Sequence, residues 1–230
     1  MWLKAYFDEI AFKYGLCEDE IKGILRQTAE QFYTHKLRCP VICEFTSEGL
    51  TLRKYPVNGF GGKESVLSLR RSDLRHMAKA LQNAFHAQAI VARQIYLKPF
   101  IGTAVHCYFL RYEQEVGVFY AEASEGIRIP AYCSVRSTPI HERNTYIPGQ
   151  TLWFHVTGLS EKDREVCFIL SRTTERLVDE LFRLQGSTVN CVHRISGARS
   201  LVRTEKYIPK AHIVFTGNEL KERVIVRYGK

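Results

Sequence analysis

The spacing of apolar residues predicts three helices and one hairpin in the first part of the chain. Apolar side chains recur every four positions over 2–14, which indicates a helix that Gly15 ends. A second apolar stripe predicts a helix over 18–37, and alternation over 39–55 predicts a β-hairpin. A third stripe predicts a long helix over 72–97, with basic side chains on much of its remaining surface.

The pattern becomes all-β after Gly102. Short apolar runs separated by turn signals predict five strands. These runs lie at 103–110, 116–123, 126–131, 151–157 and 165–170. Short strands of this number and spacing are typical of a small five-stranded barrel of the OB type.

The last part of the chain mixes both periods. Apolar spacing predicts a helix over 174–184, and short β-type runs predict four strands after it. These strands are expected around 189–195, 200–204, 213–216 and 223–228. The whole pattern therefore predicts an α+β protein with several domains.

One glycine-rich break interrupts the first part of the chain. It holds a GxxG sequence from Gly59 to Gly62, followed by Lys63. A loop that cradles phosphate carries such glycines, but this segment lacks the preceding strand and the GK[ST] ending of a P-loop. A plain loop is therefore the preferred interpretation.

The composition excludes several classes of protein. Of 230 residues, 45% are hydrophobic and 25% are charged, which is typical of a folded globular chain and not of a disordered one. No apolar run reaches the roughly 20 residues of a membrane helix, and residues 1–10 do not resemble a secretory signal. A cytoplasmic protein without a membrane partner is therefore expected.

Positive charge is concentrated in two segments of a chain whose formal net charge is +9. Residues 53–98 carry nine basic and two acidic side chains, a net +7, and residues 172–230 carry twelve and six, a net +6. Residues 1–52 and 99–171 each sum to −2, from six basic and eight acidic side chains. Such a distribution suits a polyanionic partner, and nucleic acids are the commonest of these.

The sequence indicates neither metal nor catalytic chemistry. Its seven cysteines form no CxxC pair, so reduced thiols packed as small apolar side chains are expected. His35, Cys39 and Cys43 have a ligand-like spacing, but Pro40 would break the helix needed to align them. No nucleophile, base and orienting group form a recognisable motif. We therefore predict no catalytic residue, no metal and no small-molecule cofactor.

The predicted barrel carries side chains suited to single-stranded nucleic acid. An OB-type barrel binds such strands on its second and third strands, where stacking an aromatic ring on a base contributes about 1–3 kcal/mol. The candidate RNA-binding residues here are Phe119, Tyr120, Arg128, Tyr132, His141 and Arg143. Because successive residues of a strand face opposite sides, only one of Phe119 and Tyr120 is expected at the surface, and Tyr120 is favoured. An alternative in which all these aromatic residues belong to the core stays open at this point.

Several stretches resemble the NusA family of transcription factors. The run Glu142–Gln150, ERNTYIPGQ, resembles the ER-Y-PGD stretch of the family's S1 RNA-binding domain. Leu170–Thr173 reproduces its LSRT tetrapeptide, and 177–182 is similar to the helix that follows. His193–Val202 is similar to the hairpin that opens the family's first KH domain. With a weaker match at 14–16, the resemblance extends in order over nearly the whole chain.

The C-terminal part departs from the family pattern. A KH domain clamps the nucleic-acid backbone with a GxxG loop between two helices, and no GxxG occurs after residue 173. We therefore expect a degenerate KH-like remnant that lacks this contribution to RNA affinity. Arg194, Arg199 and Arg203 of its basic hairpin are candidate RNA contacts, and the even spacing of Arg199 and Arg203 predicts that both lie on one face.

The resemblance implies three domains and a non-enzymatic role. Residues 1–98 would form an α/β domain that binds RNA polymerase, 99–172 an S1 barrel that binds single-stranded RNA, and 173–230 the reduced KH-like domain. The implied role is in transcription elongation, termination or antitermination. The alternatives are an S1-type RNA-binding protein that acts outside transcription, as a ribosome or RNA-decay partner, and an RNA-processing enzyme with an S1 module.

Overall fold

The computed structural model describes residues 2–46, 49–55, 65–67, 71–122 and 126–229. Within these residues the chain is a mixed α+β protein with five α-helices and three β-sheets. The chain divides into two compact units, Met1–Ala92 and Arg93–Lys230. None of the described helices is both long enough and apolar enough to cross a membrane.

The first unit combines helices with a small antiparallel sheet. Its helices are α1 (Trp2–Tyr14), α2 (Glu18–Leu37) and α3, which spans Arg71–Leu97. Its strands are β1 (Val41–Thr46), β2 (Gly49–Lys54) and β3 (Ser65–Val66), paired in that order. The predicted helices and hairpin are confirmed. The GxxG sequence at 59–62 and the hairpin turn at 47–48 lie outside the described residues.

Local interactions define both ends of α2. The Cys17 backbone N–H donates to the Glu20 carboxylate at 2.8 Å, and the acidic first turn complements the helix dipole. Arg38 is left-handed with φ 51° at the other end, and Pro40 prevents continuation of the helix. The apolar stripe of α2 is buried in the core of the first unit through Ile21, Leu25, Ala29 and Tyr33.

Five strands of the second unit close into a barrel. They are β4 (Ala104–Glu113), β5 (Val116–Glu122), β6 (Arg128–Ser134), β7 (Thr151–Lys162) and β8 (Glu165–Ser171). The order around the barrel is β4-β5-β6-β8-β7, and β7 pairs with β4 to close it. Neighbouring strands are antiparallel except β6 and β8, which are parallel. Five strands are thus present where the sequence predicts them.

Aromatic side chains fill the interior of the barrel. The ring centroid of Phe119 lies 5.2 Å from that of Phe109 and 4.6 Å from that of Phe154, and all three side chains are buried. A Cβ added at Gly117 would lie 2.8 Å from Phe119 Cε2, which is closer than side chains tolerate. Glycine at this position therefore lets the Phe119 ring enter the core.

A smaller α+β region completes the second unit. Its elements are α4 (Glu175–Leu184), β9 (Asn190–Ile195), β10 (Arg199–Thr204), α5 (Lys210–Leu220) and β11 (Arg223–Tyr228). Strand β10 is central, antiparallel to β9 and parallel to β11, and we call these three strands the C-terminal sheet. Both helices pack on one face of this sheet. The buried residues there include Leu177, Phe182, Cys191, Val202 and Leu220.

The strand predicted at 213–216 is wrong, because these residues lie inside α5. Ile213 and Val214 favour strands by local preference. However, the parallel pairing of β10 with β11 needs a crossover connection, and a helix is the usual one. Thr216 and Leu220, one helical turn apart, are both buried. Tertiary packing therefore outweighs the local preference.

Candidate nucleic-acid interface

The outer surface of β4, β5 and β6 carries adjacent aromatic side chains. Tyr120 of β5 lies in register between Tyr108 of β4 and Pro130 of β6. Tyr108 is 45% exposed, and Tyr120 is half-buried. Because opposed residues of paired strands are neighbours on one face, the two tyrosines lie side by side. We call the surface formed by Tyr108, Tyr120, Pro130, Tyr132 and Ile169 the barrel face.

Phe119 belongs to the core and not to this surface. Its side chain has 0% exposure, so the structure removes it from the candidate RNA-binding residues. The reason is strand alternation, which turns Phe119 inward and Tyr120 outward. The alternative in which Phe119, Tyr120 and Tyr132 all belong to the core is therefore wrong for Tyr120 and Tyr132, which are half-buried.

A second row of the barrel face lies beside the first. Tyr132 of β6 pairs with Val118 of β5 and with Ile169 of β8, which is 41% exposed. Lys162 Nζ lies 4.3 Å from the centroid of the Tyr132 ring and donates to Glu113 Oε2 at 2.8 Å. Tyr132, Ile169, Lys162 and Glu113 help to line an open pocket of about 480 Å³.

The barrel face has little net charge. Arg128 is exposed and lies opposite Glu122 in the β5–β6 pairing. Arg111 Nη2 and Lys162 Nζ lie 2.5 and 2.8 Å from carboxylate oxygens of Glu113. Because each of these cations has an acidic neighbour, the surface offers stacking area more than positive potential.

The connection between β6 and β7 carries two predicted site residues, His141 and Arg143. Their contacts lie outside the barrel face. The His141 ring packs against Gly197 in the β9–β10 turn, where an added Cβ would lie 2.1 Å from Nδ1. Gly197 also has φ +83°, which favours glycine. Arg143 Nε donates to the Thr138 carbonyl at 3.4 Å. His141 therefore joins the barrel connection to the C-terminal sheet. Its side chain is 37% exposed, and its predicted contact with RNA stays a prediction.

The two stretches that resemble S1 sequences meet at one buried arginine. The Arg172 guanidinium has no exposed surface and contacts the Glu142 carboxylate through Nε at 2.5 Å and Nη2 at 3.2 Å. The Tyr146 hydroxyl donates to Glu142 Oε2 at 2.8 Å. Arg172 Nη1 also donates to the Trp153 carbonyl at 2.7 Å and to Glu219 Oε1 of α5 at 2.9 Å. Arg172 is therefore a structural residue that joins the loop, the barrel and the C-terminal region.

The protonation states in this cluster are fixed by burial and charge. Burial by itself lowers the pKa of Arg172, but the negative charge of Glu142 and its hydrogen bonds outweigh burial, and the net pKa is raised. Burial, reinforced by the Glu142 charge, raises the pKa of the Tyr146 hydroxyl above its usual range. The guanidinium therefore stays charged, and the hydroxyl stays a donor.

Arg194 is also a structural residue, which corrects its prediction as an RNA contact. Its side chain is 1% exposed, and Nη2 lies 2.7 Å from Oε1 of the buried Glu222. Nη1 donates to the Thr174 carbonyl at 2.5 Å. Glu222 further accepts the Ser200 hydroxyl at 2.5 Å and the Gly197 N–H at 2.8 Å. Burial raises the pKa of Glu222, but Arg194 and these donors outweigh it, and the net pKa is lowered.

The other two predicted hairpin arginines lie at the surface. Arg199 and Arg203 are exposed on one face of β10, as their even spacing predicts. Arg223 and Arg227 of β11 lie beside them in register and are exposed as well. Sequence reasoning missed these two, because parallel pairing joins segments that no short turn connects. Their alternation with apolar residues was the only sequence signal.

Tyr108 is the other surface residue that sequence reasoning missed. It stands between Cys107 and Phe109, both of which are buried. This alternation signals an outward side chain. Its position opposite Tyr120 depends on the β4–β5 pairing, which a shift in register between Phe109 and Arg111 makes hard to derive from the sequence.

The described residues contain no group of three His, Cys, Asp or Glu side chains that could hold a metal ion. Cys43 of β1 points into the core of the first unit, and burial raises the pKa of its thiol to about 12. This thiol is therefore protonated at neutral pH, and it behaves as a small apolar side chain of the core.

Comparison with known proteins gives no match to this chain, neither to a protein-family model nor to a curated protein.

Proposed function

We propose that this chain is a non-enzymatic transcription elongation or termination factor, similar to NusA, that binds RNA polymerase and nascent single-stranded RNA. The observation that carries the proposal is the contact of Arg172 with Glu142 beside one closed five-stranded barrel, with the Tyr146 hydroxyl donating to the same Glu142 carboxylate. These residues come from the two stretches that resemble S1 sequences. The resemblance rests on linear motifs, so the convergence of those motifs in space adds support to it.

The topology supports an S1 domain of the OB type. Numbered from β4, the strands follow the order 1-2-3-5-4 around the barrel, with the third and fifth parallel. OB barrels have five strands and bind single strands on the second and third. In this chain those strands are β5 and β6, which carry Tyr120 and Tyr132 outward.

The C-terminal region supports a reduced KH-like domain. It has the order α4-β9-β10-α5-β11, and its helices cover one face of a three-stranded sheet. A KH domain grips the backbone with a GxxG loop. Here α5 alone connects β10 with β11, and no GxxG follows residue 173. In this proposal, RNA affinity in this region comes from other side chains.

The polymerase partner is proposed from the resemblance of the first unit, whose helices and hairpin follow the family order. The test is binding of the tagged full-length protein to purified RNA polymerase and, in parallel, to purified ribosomes from the same organism. Retention on polymerase at physiological salt supports a transcription factor. Retention on ribosomes alone favours the alternative, an S1-type RNA-binding protein that acts outside transcription.

RNA binding by the barrel face is tested with tyrosine variants of the full chain. Tyr108→Ala and Tyr120→Ala should each weaken binding of single-stranded RNA by about 1–3 kcal/mol, because each removes a ring that can stack on a base. Fluorescence anisotropy with labelled oligouridine measures this loss. Tyr207→Ala is the matched control, since Tyr207 is 81% exposed and lies between β10 and α5, outside the barrel.

Phe119→Ala separates a loss of fold from a loss of binding. Because Phe119 is fully buried, this change should cost roughly 3–5 kcal/mol of unfolding free energy. Equal RNA affinity of Tyr108→Ala, Tyr120→Ala and the parent protein would refute binding on this face. Incubation with labelled RNA and Mg²⁺ tests the enzyme alternative, and we expect no cleavage.

A further inference from the structure

The C-terminal sheet has one covered face and one open face. Val202 and Cys191 point into the core beneath the helices. The residues of β10 and β11 that alternate with the inward ones point the other way. We call this outward surface of the two strands the arginine face, and it consists of Arg199, Leu201, Arg203, Arg223, Ile225 and Arg227.

Four arginines form the corners of the arginine face. Arg199 pairs with Arg223, and Arg203 pairs with Arg227, across the parallel strands β10 and β11. Neighbouring strands lie about 5 Å apart, and residues four positions apart on a strand lie about 13 Å apart. All four side chains are exposed. Together they form a narrow cationic rectangle.

The centre and edge of the rectangle are apolar or aromatic. Leu201 pairs with Ile225 at the centre, and both are half-buried. On the neighbouring strand β9, His193 lies opposite Leu201, and Ile195, which is 45% exposed, lies opposite Arg199. The face therefore presents cations at its corners with apolar surface between them.

None of the four corner arginines has an acidic partner within the described part of the chain. No ion pair or side-chain hydrogen bond joins any of them to another residue there. Like charges directly opposite each other on paired strands destabilise a sheet. The buried carboxylate of Glu222, which precedes Arg223 in the chain, is already held by Arg194 and Ser200. An external anion would therefore remove a repulsion that the fold leaves uncompensated.

We propose that the arginine face is a second RNA-binding surface, which takes the sugar–phosphate backbone of single-stranded RNA. Charge complementarity selects this occupant. A single strand presents one negative charge per nucleotide, and arginine donates to phosphate through two N–H groups. The apolar centre suits the ribose ring and the faces of the bases. A second copy of this chain would place four arginines against four, which charge repulsion opposes.

This surface differs from the barrel face in residues and chemistry, although the choice of RNA as ligand rests on the proposed function. The test uses the full chain with Arg223→Gln and Arg227→Gln combined, and it measures binding of labelled oligouridine as a function of salt. For single strands, each lost phosphate contact lowers the log–log salt slope by about 0.7, so the double variant should lose about 1.4. The ratio of the parent protein's RNA affinity to that of the double variant should therefore fall roughly sevenfold between about 50 and 200 mM salt.

The matched control is Arg176→Gln combined with Lys210→Gln. It makes the same change in net charge in the same region, but on α4 and α5, which cover the other face. If the control loses as much RNA affinity as Arg223→Gln/Arg227→Gln, the loss comes from the change in net charge alone, and the proposal is overturned. Unchanged binding by Arg223→Gln/Arg227→Gln would overturn it too, and retained RNA binding with lost binding of polyglutamate would identify an acidic protein as the occupant instead.

The parent protein gives a readout that needs no variant. Photo-crosslinking with 4-thiouridine RNA should label peptides that contain 199–204 or 223–228, and labelling confined to the barrel would contradict the proposal. The tyrosine variants distinguish the two hypotheses. If Tyr108→Ala and Tyr120→Ala weaken binding while the arginine variant does not, only this inference fails. If neither set has an effect, the RNA-binding function itself fails.

Discussion

Arginines of the second unit occupy two opposite environments. Arg172 and Arg194 are buried, and each is held by a buried carboxylate, Glu142 or Glu222. The four corner arginines of the arginine face are exposed and have no acidic partner among the described residues. Both groups lie in strands or directly after one, so their position along the chain does not distinguish them. The difference is a carboxylate supplied by a distant part of the chain.

This comparison shows that a basic segment cannot be treated as one surface. The net +6 of residues 172–230 includes two guanidinium groups that never reach solvent. Removing one partner of a buried ion pair strongly destabilises the folded protein. Replacing an exposed arginine usually changes the unfolding free energy very little. Substitutions in the two groups of arginines should therefore have clearly different effects on the unfolding free energy.

The largest change in unfolding free energy is expected for Arg172→Met. The change leaves Glu142 and Glu219 without their buried cation, so unfolding free energy should fall by about 3–5 kcal/mol. In a Trp2→Phe background, Trp153 is the only tryptophan, and its fluorescence in urea reports on the second unit. Arg199→Met is the control and should stay within about 0.5 kcal/mol of the parent.

The double variant Arg172→Met/Glu142→Leu sharpens the same test. Because it removes both charges together, it should recover part of the lost stability. If Arg172→Met lowers the unfolding free energy by less than about 1 kcal/mol, its ion pair contributes no more than an exposed one does. That result would contradict the distinction between buried and exposed arginines.

A smaller loss of unfolding free energy is expected when the pH is lowered. The pKa of Glu222 is lowered in the folded protein, so its stabilising contribution is complete above the ordinary pKa near 4.5 and is lost as pH falls through the folded value. One proton limits the slope to about 1.4 kcal/mol per pH unit. Glu222→Gln should be less stable at pH 7 and should lack this part of the acid dependence. Parallel stability curves of variant and parent below pH 4.5 would contradict the assignment.

The smallest effect is expected on the arginine face itself. Arg199→Gln or Arg223→Gln relieves one like-charge pair across β10 and β11, so each should raise unfolding free energy by roughly 0.2–1 kcal/mol at low salt. The gain should vanish at high salt, because exposed charges are screened. A loss of stability at low salt would mean that these arginines, like Arg172, support the fold.

Much of the fold follows from local patterns in the sequence. Short apolar runs between turn signals predicted the five barrel strands, and apolar stripes predicted α1, α2, α3 and α4. The exception, α5, contains β-branched residues whose helical state depends on the crossover between β10 and β11. Local preference could not reveal that requirement.

The candidate site was harder to predict, because it depends on pairing between strands. Alternation predicted that Phe119 and Tyr120 face opposite sides, and the tyrosine hydroxyl favoured Tyr120 as the outward residue. The roles of Arg194 and Arg223 depend on register. The pairing of Ile195 with Arg199 places Arg194 opposite the buried Ser200, and the parallel pairing of β11 places Arg223 beside Arg199. Neither fact is encoded near these arginines in the chain.

The sharing of Arg172 between Glu142 of the barrel connection and Glu219 of α5 has a consequence for avidity. The barrel face and the arginine face belong to one compact unit of the chain, in which Arg172 joins the two regions. A strand held by one face is thus presented to the other at a high effective concentration. Under the proposed function, RNA long enough to reach both faces should dissociate more slowly than RNA that reaches only one.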